Sequence, residues 1–132
     1  MHGMNRFIPI LFWLAALYDS VLGILFFIVP QRMMVAAHVP ADMHPGYLQF
    51  PAALLVVFAL MFAAIALHPT ANSNLIPYGI LLKVSYCSVV FRYWAVDQVA
   101  PLWKPFAIAD AAFLVLFSMA YLHLRRLRHE VH

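Results

Sequence analysis

Four ionisable side chains, Asp19, Lys83, Arg92 and Asp110, stand inside long apolar runs of this 132-residue chain. In the middle of a bilayer one such charge costs about 2.5–3.5 kcal/mol on insertion scales, so each is expected to face inward and meet a partner. Carboxylates and cations gathered there can do three things: fix helix register as ion pairs, relay protons or ions, or hold the polar head group of a bound molecule. With a rise of about 1.5 Å per residue, Asp19, Asp110 and Arg92 lie about 18, 21 and 22 Å from the cytoplasmic face. Arg92 is therefore expected to be neutralised by Asp110, by Asp19, or by both. Lys83 is only about 9 Å in, and is expected to snorkel to the interface or to reach toward Asp19. It lies nine residues before Arg92, which at about 100° per residue is half a turn away around the helix.

The neighbours of these charges fit close packing. Ser85 and Ser88 share the helical face of Arg92 and form a polar seam with it. Asp19 lies between Ala15 and Gly23, and Ala107 stands one turn before Asp110. Small residues at such spacings let a neighbouring backbone approach.

The elements that carry these residues are four runs of about 20 apolar residues, the length a span requires: 7–29, 48–67, 77–96 and 105–124. Breakers separate them, at PQR, HPGY, HPTANSN and DQVAP. Lipid cannot satisfy free backbone groups, so the runs are predicted helices, and short connections make consecutive helices antiparallel. The expected fold is all-α, a single transmembrane domain over residues 1–132 forming an up-and-down four-helix bundle. The connection 30–47 is the longest, and its first half is expected to lie as a short interfacial helix. Outside the spans, Arg6, Arg125, Arg126 and Arg128 stand against Arg32 and Lys104, which puts both termini in the cytoplasm. Although MVAA imitates a cleavage site after Ala37, the first apolar run is long enough to span and is expected to stay uncleaved. Segment 8–21, IPILFWLAALYDSV, matches segment 76–89, IPYGILLKVSYCSV, at six of fourteen positions, Tyr18 with Tyr86 and Ser20 with Ser88 among them. The two halves are thus candidates for a parallel repeat of a helical hairpin.

Composition agrees: 66% of the residues are hydrophobic and only 10% charged, far from the soluble globular range. The net charge of +3 is concentrated in the tail RRLRHEVH beside an apolar run, which is the pattern of a membrane-surface anchor and not of a nucleic-acid binder. The one cysteine, Cys87, excludes an intramolecular disulfide and has no resolving cysteine, so a catalytic thiol is not expected. His38, Asp42, Met43 and His44 in the outer connection are candidate copper or zinc ligands, but their spacing fits no tight metal motif. None of the seven histidines, at 2, 38, 44, 68, 123, 129 and 132, is placed mid-span as a haem ligand. There is no phosphate loop, nucleophile elbow, CxxC or HExxH, so the chain leans away from an enzyme. Trp94, Tyr93, Trp103, Tyr47, Tyr78 and Tyr121 fall near span ends, as an interfacial aromatic belt does.

The segments YLQFPAALLVVFALMF, LIPYGILLKVSYCSVVFRYW and WKPFAIADAAFLVLF resemble the small bacterial membrane proteins of the DoxX-like kind. That resemblance implies a four-helix protein of the bacterial inner membrane, in some relatives associated with quinone or thiol redox partners. It transfers no site residue. Three functions are carried forward: an accessory or structural subunit of a larger membrane complex; a small transporter or proton-conducting oligomer using Asp19, Lys83, Arg92 and Asp110; and a quinone- or lipid-linked redox component. The expected partners are the lipid bilayer and either other membrane subunits or further copies of the chain, with no nucleic acid. No cofactor is predicted beyond a possible quinone or lipid.

Overall fold

The computed structural model describes residues 2–40 and 42–131, and side chains over 6–40 and 42–127. Among the described residues there are five α-helices, α1 His2–Ile28, α2 Pro30–Ala36, α3 Gly46–Leu67, α4 Ile76–Ala95 and α5 Trp103–Val131, with one short 3-10 turn, Ser73–Leu75, before α4. Among the described residues there is no strand. Four of the helices are long and apolar enough to cross a membrane. α5 runs on through the basic segment, past the expected end at 124, because Leu and Arg are good helix formers and no breaker intervenes.

Every proline in a helix falls within the first eight positions: Pro9 in α1, Pro30 opening α2, Pro51 in α3, Pro77 in α4 and Pro105 in α5. At Pro30, Pro77 and Pro105 the missing N–H costs least, since the first turn has no partner for it in any case, whereas Pro9 and Pro51 lie beyond the first turn and each leaves a carbonyl one turn earlier without its helical donor. α2 is the short helix expected in the long connection. It ends in a Schellman motif, with His38 at a left-handed φ of 59°. The His38 N–H donates to Val35 O at 3.1 Å and the Val39 N–H to Met34 O at 2.9 Å. α4 stops in the same way at Asp97, φ 56°, where the Gln98 N–H donates to Tyr93 O at 2.8 Å.

Two pairs dominate the packing, α1 with α3 and α4 with α5. Side chains also tie the connections down. Gln49 Nε2 donates to Phe27 O at 3.0 Å, joining the start of α3 to the end of α1, and Asn72 Nδ2 donates to Ala64 O at 2.7 Å beneath the end of α3.

The core lies toward one end of the molecule. It joins Ile8, Leu11, Phe12, Ala15 and Ala16 of α1 to Phe62 and Ile65 of α3, Ile76 of α4, and Phe117 and Leu124 of α5. On α1 these residues follow the three- and four-residue spacing of one helical face. Three rings fill its centre: Phe117 stacks on Phe12 at 4.7 Å between centroids and tilts against Phe62 at 5.1 Å. At 25 cal/mol per Å2, burying rings of this size contributes several kcal/mol each, relative to exposure to water.

Farther along α1 the helices come so close that only glycine fits. A Cβ on Gly23 would lie 2.7 Å from Ala52 O and 2.8 Å from a methyl of Val56. The obstacle is backbone, so α1 and α3 must separate to admit it. Gly23→Ala is expected to lower the stability of the detergent-solubilised protein by about 1–3 kcal/mol, read from the midpoint of equilibrium unfolding. An unchanged midpoint would show that α1 and α3 do not meet there.

Candidate functional site

Lys83 lies on the inner stripe of α4, with Ile76, Gly79, Cys87 and Val90, all buried. Their spacing of three and four residues keeps them on one helical face, so the Lys83 stem enters the molecule between the other long helices. Its Nζ donates to Asp19 Oδ1 of α1 at 3.1 Å and to Asp110 Oδ1 of α5 at 3.0 Å. Lys83 and Asp19 are each 1% exposed and Asp110 is 7% exposed. Rings close round the ammonium as well: Tyr18, Phe62 and Phe113 have centroids 5.4, 5.7 and 5.3 Å from Nζ. Each is within the range of a cation–π attraction, which strengthens when water is excluded. One ammonium thus gathers groups from α1, α3 and α5 onto α4.

Small residues make room for this cluster. Ala15 and Gly23, one turn to either side of Asp19, are buried, and Ala107 is fully buried beside Asp110. Cys87, one turn beyond Lys83, is buried and donates its thiol to Ala107 O at 3.5 Å, which links α4 to α5.

Arg92 does not join the cluster, and its expected pairing with Asp110 or Asp19 is overturned. It is exposed, and among the described residues the ion pairs are those of Lys83 alone. The cause is angular: nine residues separate the two cations, so with Lys83 inward Arg92 must point outward. Arg92 also lies in the last turn of α4, where a cation faces the helix's free carbonyls and its long stem can reach the interface. Its guanidinium sits 5.9 Å from the Tyr93 ring centroid. The seam of Ser85 and Ser88 does not meet the charges either: both are exposed, Ser85 at the lining of the cavity described below. Each hydroxyl is satisfied within α4, Ser85 Oγ donating to Leu82 O at 2.8 Å and Ser88 Oγ to Ser85 O at 3.0 Å.

In the outer connection, His38, Asp42, Met43 and His44 are all exposed. His38 is taken up in ending α2, and His44 Nδ1 accepts the Gly46 N–H at 2.9 Å. Among the described residues no group of three or more His, Cys, Asp or Glu is placed to hold a metal.

Beyond the cluster, on the side away from the aromatic core, a cavity of about 480 Å3 opens between α1, α3, α4 and α5. Tyr18, Asp19 and Asp110, gathered round Lys83, line it together with Ser85 and Tyr86, and Leu22, Leu55, Phe58, Trp103 and Phe106 supply apolar wall. Tyr86 Oη donates to Trp103 O at 3.1 Å, and Phe26 stacks on Trp103 at 5.6 Å between centroids. A cavity of this size, mostly apolar with a few polar groups in its lining, has the character of a small-molecule site. Two polar atoms of these groups are buried with no hydrogen-bond partner among the described residues: Asp19 Oδ2 and Tyr18 Oη. Sequence reasoning missed the two tyrosines as site residues. The signal was present, since Tyr18 and Tyr86 occupy equivalent places in the repeated segments IPILFWLAALYDSV and IPYGILLKVSYCSV.

Removing one partner of a buried, hydrogen-bonded charge group costs about 3–5 kcal/mol, because the charge left behind is uncompensated. Lys83→Met is therefore expected to destabilise the solubilised protein by that amount, whereas Arg92→Leu changes its stability by about 0.5 kcal/mol or less, as outward-facing substitutions do. Equilibrium unfolding of the two variants side by side checks this, and an Arg92→Leu loss equal to that of Lys83→Met contradicts it.

No known protein family, curated protein or solved structure matches this chain.

Proposed function

We propose that this chain is an integral membrane protein that holds a lipophilic molecule, a lipid or a quinone, in the cavity between its helices with the molecule's polar head group against Asp19 and Asp110. The observation that carries this reading is the cavity itself, about 480 Å3 of mostly apolar lining that includes Tyr18, Asp19 and Asp110 where they gather round Lys83. A molecule entering from lipid would keep its apolar part in contact with Leu22, Leu55 and Phe58 while its head exchanges the hydrogen bonds it had at the interface for those of the site.

The same reading carries an up-and-down bundle with both termini in the cytoplasm. Core contacts join the early part of α1 and the start of α4 to the late parts of α3 and α5, which supports alternating helix directions. Arg6, Arg125 and Arg126 are exposed at that end of the molecule, and a basic end supports its cytoplasmic placement. The cavity then lies in the outward half. The pairing of α1 with α3 and of α4 with α5 supports a repeated hairpin, and Tyr18 and Tyr86 then stand at matching positions on either side of the cavity. A bacterial inner membrane and a quinone are what the DoxX-like resemblance adds. A second reading, proton conduction by an oligomer, is favoured by the hydrogen-bonded chain from Asp19 through Lys83 to Asp110. Docking as an accessory subunit is compatible with either.

The test is extraction and mass spectrometry of the protein purified in dodecyl maltoside. One lipophilic compound, enriched toward one per chain in the wild type and lost in Ser85→Trp, is the expected result. Ser85 lines the cavity but is exposed, so a larger side chain there blocks the space without disturbing the core. Bulk phospholipid alone, in the same amount from both proteins, would remove the proposal.

A further inference from the structure

We infer that the molecule held in the cavity is a lipophilic cation, an ammonium or similar positive centre carrying apolar groups, bound at Asp19. The inference rests on the ligand-holding reading above and names the ligand's charge. Its first support is a charge count. Two carboxylates, Asp19 and Asp110, meet one ammonium, Lys83, which leaves one formal negative charge in apolar surroundings. No Lys, Arg or His lines the cavity to balance it. Two other cations are engaged elsewhere, Arg92 over the Tyr93 ring and Lys104 at 5.1 Å over the Trp94 ring.

The second support is the direction of the hydrogen-bonding deficit. Asp19 is 1% exposed, its Oδ1 accepts from Lys83, and its Oδ2 is buried with no partner among the described residues. An ionised carboxylate oxygen only accepts, so it is satisfied by a hydrogen-bond donor or by a positive centre, while Tyr18 Oη, the other unpartnered atom, can donate or accept and does not select between head groups. Carbonyl head groups, which only accept, would set oxygen against oxygen at Asp19, so of the two ligand classes named above a cationic lipid is selected over a quinone. Among donors, a cation also cancels the excess charge, and a charge-assisted hydrogen bond is about twice as strong as a neutral one.

The third support is the lining. Tyr18, Tyr86, Phe58, Phe106 and Trp103 present rings to the cavity, and the Tyr18 and Phe106 rings are edge to face with centroids 6.3 Å apart. Aromatic walls beside a carboxylate are the combination that holds alkylated ammonium groups, through attraction of the cation to the ring faces. The charge count and the unused acceptor both rest on an ionised Asp19, and the set of rings is a separate observation.

Equilibrium dialysis of the full chain in dodecyl maltoside tests the charge directly, with tetraphenylphosphonium as the probe and tetraphenylborate, of nearly the same shape and opposite charge, as its counterpart. Saturable binding of the phosphonium and none of the borate is expected. Asp19→Asn keeps the Lys83–Asp110 pair, and phosphonium affinity should fall roughly thirtyfold or more, the effect of removing one partner of a buried charge pair. Ser85→Trp should abolish the binding. Equal phosphonium affinity in Asp19→Asn and wild type, or borate bound as tightly as phosphonium, overturns the inference. Should Asp19→Asn not yield folded protein, the comparison of the two probes on the wild type decides alone. If a neutral lipid is recovered from the cavity and the phosphonium does not bind, the cation is wrong and the ligand-holding reading stands. If no probe binds and extraction yields bulk phospholipid only, both fail.

Discussion

A lysine ammonium enclosed by apolar side chains has no water to solvate it, so the protein must bring charge and hydrogen-bond acceptors to it or fail to bury it. Lys83 is in that position, and the arrangement of the long helices can be understood as the answer. Asp19 and Asp110 must arrive at about 3 Å from the same nitrogen, from α1 and α5. That requirement fixes how far each helix is shifted along its axis and which way each is turned. Breaking it by a turn of any helix, about 5.4 Å, would strand a charge. Such a cluster need add nothing to stability beyond what apolar residues of equal volume would give; its effect is on which packing is allowed.

The cluster also divides the molecule. On one side the helices are sealed by Phe12, Phe62 and Phe117, and the Phe62 ring belongs at once to this core and to the surroundings of the Lys83 nitrogen. On the other side the two helix pairs stay in close internal contact, α1 against α3 at Gly23 and α4 against α5 through Cys87 and Ala107, while the space between the pairs is left as the cavity. Polar side chains at the cluster's open face, Tyr18, Tyr86 and Asp110, cannot be buried against plain hydrocarbon without loss of hydrogen bonds. A site with donors and acceptors of its own is the consequence. The proposed binding chemistry and the packing therefore meet at the same few residues.

Much of this was legible in the residues. Four apolar runs, the prolines that open them and the short helix after Pro30 follow from length, hydropathy and the constraint that lipid places on a backbone. Asp19 and Asp110 stood out because carboxylates in such runs need partners. The identity of the partner did not follow, because depth alone favoured Arg92, whereas the direction of the side chain decided for Lys83. The buried stripe Ile76, Gly79, Lys83, Cys87 and Val90 held that information, and a helical face with Gly and Cys on it is narrower and better packed than one with two serines and an arginine. The serines were misleading for a physical reason: a hydroxyl in a helix can satisfy itself on a carbonyl of the preceding turn, so it need not mark an inward face. The cavity itself left no trace in composition, since it depends on where side chains from four helices fail to meet.

The most direct measurement of this arrangement is a pair of double-mutant cycles, Lys83→Met with Asp19→Leu and Lys83→Met with Asp110→Leu, followed by equilibrium unfolding in mixed dodecyl sulfate micelles. Contact through a shared buried hydrogen bond gives coupling of about 1–3 kcal/mol in each cycle, while a cycle of Arg92→Leu with Asp110→Leu gives losses that simply add. Additive losses in both Lys83 cycles, or strong coupling of Arg92 to Asp110, would contradict a bundle organised round Lys83.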